Sequence, residues 1–239
     1  ILQILLLIPV MDLFDACCHT FGTLATGGFS TKNASLGAFD SVYVDWVVIA
    51  FMFLAGANFV LHFHLLTGRG FKHFKDSEFS FYFYLTVGSA LLISAILYFG
   101  SYPDKSLHPE KYQSISQCIR YGSFQVVSIL TTTGYGTANY DGWPNACRFL
   151  LVSLMFIGGC AGSTAGGIKC IRILVTIRFG VREILHMVRP QAVLPVRIGG
   201  QSVDRAVLAR VLGFLALYFI LFSLAVLSMT LILDNSRPE

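Results

Sequence analysis

Long apolar runs separated by short polar breaks set the pattern of this chain. The clearest run from Val42 to Leu66, Phe79 to Phe99, Cys147 to about Ile157 with a continuation beyond, and Val211 to Leu233. Apolar stretches of about 20 residues match the hydrocarbon thickness of a bilayer, so the pattern predicts membrane-crossing helices. Two shorter apolar segments, Leu13 to Leu24 and Ile115 to Leu130, are short for a crossing. Each runs directly into a turn of glycine, threonine and one aromatic residue: Ala25-Thr26-Gly27-Gly28-Phe29-Ser30-Thr31 and Thr131-Thr132-Thr133-Gly134-Tyr135-Gly136-Thr137.

The two turns are copies of one phrase. With Gly28 set on Gly134, Phe29 falls on Tyr135, Thr31 on Thr137, Leu24 on Leu130 and Phe21 on Val127. After a small gap, residues 51–56 (FMFLAG) resemble residues 154–159 (LMFIGG). The repeating unit reads as outer helix, short dipping helix, turn, inner helix, which is a duplicated membrane architecture.

Composition agrees. The chain is 55% hydrophobic and 13% charged, against about 25% charged for soluble domains. An all-α integral membrane protein follows, one that carries lipid on its flanks and makes no contact with nucleic acid. Basic residues then orient it. Arg69, Lys72 and Lys75 form one cluster; Lys169, Arg172, Arg178, Arg182, Arg189, Arg197, Arg205 and Arg210 form another, and both belong on the cytoplasmic side. The segment from Ser101 to Lys111 is balanced in charge and suits the outside. Between Lys111 and Trp143 the chain must therefore enter the membrane and return to the same face. A short helix followed by an extended turn does this, and the same holds for Leu13 to Thr31. Irregular backbone at membrane depth is tolerated only where protein buries it or water lines it, so both turns belong at a cavity.

Glycine at positive φ lets successive carbonyls point one way. Neutral oxygens at high density suit a weakly hydrated monovalent cation, and no carboxylate ring favours a divalent one. Ala25, Thr26, Gly27, Gly28 and Phe29, with Thr132, Thr133, Gly134 and Tyr135, are the candidate selectivity filter. Thr26, Gly27, Gly28, Thr133 and Gly134 are the expected ligands of that cation, and the hydroxyls of Thr26, Thr133, Ser30 and Thr137 either add oxygens or brace the turns. The stretch Gly158, Gly159, Cys160, Ala161, Gly162, Ser163, Thr164, Ala165, Gly166, Gly167 holds five glycines in ten residues. At about 1 kcal/mol per glycine relative to alanine, it cannot continue a helix. It is expected to break the inner helix into a flexible loop below the filter, as a gate; the plainer reading is a close-packing helix face. Lys169 and Arg172, three apart, are expected on one helical face, where they line the inner mouth, pair with carboxylates outside this sequence, or simply anchor the helix at the membrane interface.

Other chemistry is excluded. The Gly167-Ile168-Lys169 spacing does not fit a phosphate-binding P-loop, and no nucleophile–base–acid order is visible. Asp12 and Asp15 have no evident acid–base partner. The six cysteines form no CxxC pair and read as small apolar residues. No covalently bound cofactor is expected, and the protein is not an enzyme.

These residues, with Phe14-Asp15-Ala16, Cys18-His19, Leu61-His62-Phe63, Phe156 to Thr164, Gly167-Ile168-Lys169 and Val188-Arg189-Pro190, resemble the Trk, Ktr and HKT superfamily of potassium transporters, and within it the bacterial TrkH/TrkG type of membrane subunit. The resemblance covers nearly the whole chain. It implies four repeats of outer helix, re-entrant pore helix with filter loop, and inner helix around one potassium pathway. Residues 1–78 would then be the second repeat, 79–190 the third with its broken inner helix, and 191–239 a cytoplasmic linker and the outer helix of the fourth. It further implies potassium as substrate, a homodimer, a cytosolic nucleotide-binding ring subunit that controls the gate, and a multi-pass place in the bacterial inner membrane. Ala165 stands where the family commonly has the first of three glycines. The chain reads as a piece of something longer, because Ile1 begins inside an apolar segment and residues 234–239 end just after one. Two such turns alone would not conduct. The alternative is a non-conducting scaffold or regulatory subunit with degenerate turns.

Overall fold

Helices form wherever the apolar pattern placed them. The computed structural model describes residues 1–68, 76–100, 102, 112–192 and 194–235. In chain order come α1 (Leu2–Leu7), α2 (Leu13–Leu24), α3 (Val42–Ala55), α4 (Phe59–Leu66), α5 (Ser77–Phe99), α6 (Ile115–Leu130), α7 (Asn145–Ile157), α8 (Cys170–Val188) and α9 (Arg205–Asn235). Short 3₁₀ turns lie at Ser35–Phe39 and Tyr140–Gly142. The expected all-α chain also carries one small antiparallel hairpin, β1 (Arg197–Ile198) and β2 (Gln201–Ser202), with Arg197 opposite Ser202. The basic cluster Arg69, Lys72, Lys75 and the charged residues Asp104, Lys105, Glu110 and Lys111 lie outside the described residues.

The chain divides into two compact units, Ile1–Ile171 and Arg172–Glu239. At the centre of the first is α6, packed on α5, α3 and α7. This short helix joins two clusters of buried side chains. Cys118, Tyr121, Val126 and Leu130 belong to one, with Tyr82, Ile93, Leu97, Leu151 and Leu154. Phe124 and Val127 belong to the other, with Leu7, Val44, Val48, Met52 and Tyr135. A helix buried on all sides needs its start capped, and Ser114 with Gln117 forms a reciprocal capping box there.

Among the described residues of this unit, helix α5 alone is long and apolar enough to cross a membrane unbroken. The run Val42 to Leu66, expected as one span, is instead two helices bent by 104°. Two residues cause the break. Asn58 caps α4 by accepting from Val60 N–H at 2.9 Å. Gly56 admits a close approach, since a Cβ there would lie 2.5 Å from the Tyr82 hydroxyl and 2.7 Å from Thr131 Cγ2. The phenol of Tyr82 in turn donates to Phe53 O at 3.0 Å, and the two rings stack at 4.8 Å.

One ion pair lies inside this packing. Arg120 of α6 reaches Asp45 of α3 at 3.4 Å, with side chains 10% and 5% exposed. Charged residues within apolar segments are costly unless paired.

In the second unit, α8, the hairpin and α9 lie together. The Arg178 guanidinium donates to Arg197 O, and that of Arg172 sits 4.1 Å over the Phe214 ring. Residues Arg205–Leu233 of α9 are also long and apolar enough to cross a membrane, and their large side chains are mostly exposed.

In the full-length protein, Arg120→Met leaves Asp45 buried without its partner and is expected to cost about 3–5 kcal/mol. The double exchange Asp45→Leu/Arg120→Met recovers most of it. Thermal unfolding in detergent measures both.

Candidate functional site

The two glycine turns are built alike down to individual hydrogen bonds. As α2 ends, Ala25 N–H bonds Phe21 O, Thr26 N–H bonds Thr23 O, and the N–H groups of Gly27 and Gly28 both reach back to Gly22 O at 2.8 and 3.3 Å. As α6 ends, Thr131 bonds Val127, Thr132 bonds Ile129, and Thr133 and Gly134 both reach Ser128 O at 2.9 and 3.2 Å. Each is a helix C-terminus closed by a residue in the left-handed region. That residue is threonine in both, Thr26 at φ 51° and Thr132 at φ 56°, followed two residues on by a glycine, Gly28 at 66° and Gly134 at 87°. A β-branched residue at positive φ is a genuine outlier. Its occurrence at the same place in both copies marks a shared requirement.

The result is a sorting of backbone polarity. Four successive N–H groups in each turn are committed to the preceding helix. Among the described residues, the carbonyls of Thr26, Gly27, Gly28, Thr132, Thr133 and Gly134 accept no hydrogen bond from the protein. Both helices also direct their C-terminal ends, the negative ends of their dipoles, at these turns.

Hydroxyls and side chains brace rather than extend this oxygen set. Thr26 Oγ1 donates to Ala25 O, and Thr133 Oγ1 pairs with Thr131 Oγ1 at 2.8 Å. In the first turn, Thr31 donates to Asp15 at 2.6 Å and Lys32 pairs with Asp15 at 3.0 Å. The hydrogen bond and charge of Asp15 raise the Lys32 pKa. Asp15 thus has partners, but they hold a loop. His19 Nδ1 lies 2.7 Å from Asp15 O, which can only accept, so Nδ1 carries the proton and Nε2 faces the Ser30 hydroxyl at 2.9 Å.

The two turns touch. A Cβ on Gly28 would fall 1.9 Å from Thr133 O, whereas one on Gly134 would meet nothing within 4 Å. Tyr135 links them further. Its hydroxyl reaches His19 O at 3.1 Å and Phe29 O at 3.3 Å, and it sits where a side chain on Gly22 would stand. The ring is 1% exposed, whereas Phe29, its counterpart in the first turn, is 83% exposed. A cavity of about 750 Å³ opens beside the second turn, lined by Gln125, Ser128, Thr132, Tyr135 and neighbours.

Behind the turns lies the glycine-rich segment. α7 stops at Ile157 and α8 starts at Cys170, so the helix breaks where the glycines predicted. The loop is tied rather than slack. Gly158 at φ 79° lies against Gly167 at φ 76°, with 2.8 Å between Gly158 Cα and the place of a Cβ on Gly167, and Lys169 N–H bonds Ile157 O at 2.8 Å. Gly166 N–H donates to Thr132 Oγ1 at 2.6 Å, and Thr164 Oγ1 donates to Leu24 O at 2.9 Å. The loop therefore contacts the rear of both turns. It also contacts the α3–α4 break: Cys160 N–H bonds Gly56 O at 2.8 Å and Phe59 N–H bonds Gly162 O at 3.1 Å. The expected helical face of Lys169 and Arg172 does not exist. Lys169 takes φ 83° ahead of α8, and its ammonium bonds Ala165 O.

A family model described as "TrkH: Cation transport protein" matches residues 7–236. The chain belongs to the TrkH family. Among its relatives in that family, the Trk system potassium uptake protein TrkH of Escherichia coli K12 is 38% identical over 91% of this chain and 44% of its own length. TrkH of Halomonas elongata is 39% identical over 90% of this chain and 42% of its own length. A crystal structure of the potassium transporter TrkH from Vibrio parahaemolyticus superposes with a TM-score of 0.84 at 36% identity, covering 92% of this chain and 46% of that one. The chain thus spans somewhat under half the length of these TrkH relatives. TrkH proteins are membrane transport proteins, not enzymes.

Three features escaped the sequence reading: the Arg120–Asp45 pair, the Gln125 carboxamide beside the cavity, and Glu78. The available signal was the rule that polar and ionisable residues within apolar segments seldom stand there idle. For Glu78 it was masked, because Asp76-Ser77-Glu78 reads as an ordinary helix start, and Asp76 does cap Phe79 N–H at 2.7 Å.

Gly134→Ala in the full-length protein is expected to cost about 1–2 kcal/mol, the price of a left-handed alanine. Gly28→Ala, which adds a backbone clash, costs more. Tyr135→Phe removes a hydroxyl with two acceptors and costs about 1 kcal/mol. Thermal midpoints rank the three, and a Gly28→Ala protein as stable as Gly134→Ala contradicts the contact between the turns.

Proposed function

We propose that this chain forms the second and third repeats, and the outer helix of the fourth, of a potassium-uptake subunit. In this reading Ala25 to Phe29 and Thr132 to Tyr135 are two of four filter segments. The observation that carries it is the set of uncommitted carbonyls at Thr26, Gly27, Gly28, Thr132, Thr133 and Gly134. An extended run of carbonyl oxygens, with its N–H groups turned away, replaces the water shell of a weakly hydrated cation without the field strength that would trap a divalent one.

The repeat supports two further segments around the same axis. The socket that holds Tyr135 is made by His19, Gly22 and Phe29. Advanced by 106 residues, the separation of Phe29 and Tyr135, the socket becomes Gln125, Ser128 and Tyr135. All three line the open cavity, and the Gln125 Oε1 there is buried with no hydrogen-bond partner. A following filter aromatic fits this place, and the exposed Phe29 fits the socket of a preceding one.

The loop of residues 158–167 is the gate in this reading, because it bonds the backs of both filter turns. The complete subunit is a multi-pass protein of the bacterial inner membrane and works as a homodimer. A cytosolic nucleotide-binding ring docks on the basic residues between Arg178 and Arg210. Names of the relatives support potassium as the ion.

Uptake by the full-length protein in a potassium-uptake-deficient bacterium tests the filter. Gly134→Asp is expected to abolish growth at low potassium or to lose preference over sodium. Unchanged uptake and preference overturn the filter assignment, whereas a parent protein that restores no uptake at all favours the non-conducting scaffold. Deletion of residues 161–166 is expected to raise basal flux in proteoliposomes, whereas a loop that only packs helices leaves flux unchanged or lowers it.

A further inference from the structure

One buried carboxylate has no part in the filter. Glu78 stands in the first turn of α5, 7% exposed. Its Oε1 accepts from Ala161 N–H at 2.6 Å and from Ile171 N–H at 3.1 Å. Those two donors bracket the glycine-rich loop: Ala161 lies near its entry, and Ile171 is in the first turn of α8, where N–H groups have no partner within the helix. A carboxylate there answers both the orphan donors and the positive end of the helix dipole. With the loop displaced, this carboxylate would lose the Ala161 donor, and a carboxylate in such a place is costly to leave short of donors.

We infer that Glu78 is a positioning residue that latches the loop in the conformation behind the filter, through one oxygen shared by Ala161 and Ile171. The inference rests on the reading of residues 158–167 as the gate. The latch acts only on that conformation, because both bonds depend on the loop entry and the α8 start lying together. It also gives α5, which ends among neither turn, a direct hold on the ion path. Thr132 and Thr164 complete the contact from the other side, through Gly166 N–H and Leu24 O.

The test uses the full-length transporter in proteoliposomes without its regulatory partner, reading potassium-driven flux at matched protein incorporation. Glu78→Ala is expected to raise basal flux roughly tenfold, the order that goes with losing one charge-assisted hydrogen bond from the shut state. Glu78→Gln keeps an acceptor oxygen and is expected to stay within about twofold of the parent. Combined with deletion of residues 161–166, Glu78→Ala is expected to add nothing, since no latched loop remains. That epistasis separates a latch from a general structural role, which would alter flux in both backgrounds. The latch is overturned if Glu78→Ala stays as tight as the parent while the deletion leaks, or if Glu78→Gln leaks as Glu78→Ala does. A deletion that does not leak removes the gate reading itself, and the latch with it.

Discussion

A peptide group at membrane depth must find a hydrogen-bond partner or face water or an ion. Each group left unmatched in hydrocarbon costs several kcal/mol. The two glycine turns meet this constraint in an uneven way. Four N–H groups in each are satisfied by the preceding helix, while six carbonyls have no protein partner. Such an arrangement is stable only beside a polar space. Everything around the turns follows from building that asymmetry and holding it. The helix ends close with a threonine at positive φ, a conformation that costs about 1–2 kcal/mol at each site. It persists because the neighbouring bonds over-determine it.

Holding the asymmetry also requires a wall behind the turns. The glycine-rich segment provides one, and it does so together with the α3–α4 bend. Aligned through the repeat, Gly56 and Gly159 are equivalent, and the inner helix breaks just there in both copies. In the earlier copy the interruption is three residues with a sharp bend; in the later it expands into a loop. The Gly56 carbonyl freed by one break is answered by Cys160 N–H from the other. Thr164 bridges further, to Leu24 O and Ala55 O. Two helix breaks that would each leave orphan backbone groups thereby satisfy one another. Gly166 N–H joins the loop to the second glycine turn at Thr132 Oγ1, so a displacement of the loop cannot leave Thr132 undisturbed.

Much of this was legible from the residues. Both short helices, Leu13–Leu24 and Ile115–Leu130, have the limits that their apolar runs predicted, because an apolar run ending in a glycine turn carries its own stop signal. The α7 break was equally plain from five clustered glycines. The α3–α4 bend was not, since one glycine and one asparagine in an apolar run are a weak local signal; Tyr82 and Thr131 pressing on Gly56 decide it. Lys169 and Arg172 were misplaced because spacing implies a helical face only inside a helix, and the left-handed Lys169 lies ahead of it. Glu78 and the Arg120–Asp45 pair depend on partners tens of residues away, which local pattern cannot reveal.

The two turns share backbone geometry yet are braced by different side chains. In the first, Asp15 holds Thr31 and Lys32, and His19 holds Ser30. In the second, Ser128 holds the Tyr135 carbonyl, and the Tyr135 phenol is anchored on the first turn. At the positions matching His19, Ser30 and Gly27 stand Gln125, Gly136 and Thr133. Were the chemistry carried by side chains, these exchanges would have changed it from copy to copy. What stays the same is the pair of positive-φ residues and the four N–H bonds to the helix. In the proposed reading the functional group is therefore the peptide carbonyl, and the side chains are scaffolding that each copy has met with its own residues. The hydroxyls of Thr26 and Thr133, which the sequence offered as further oxygens or as braces, make bracing contacts, and in the same reading an oxygen bonded within the turn fixes its shape and leaves the carbonyls to face the ion.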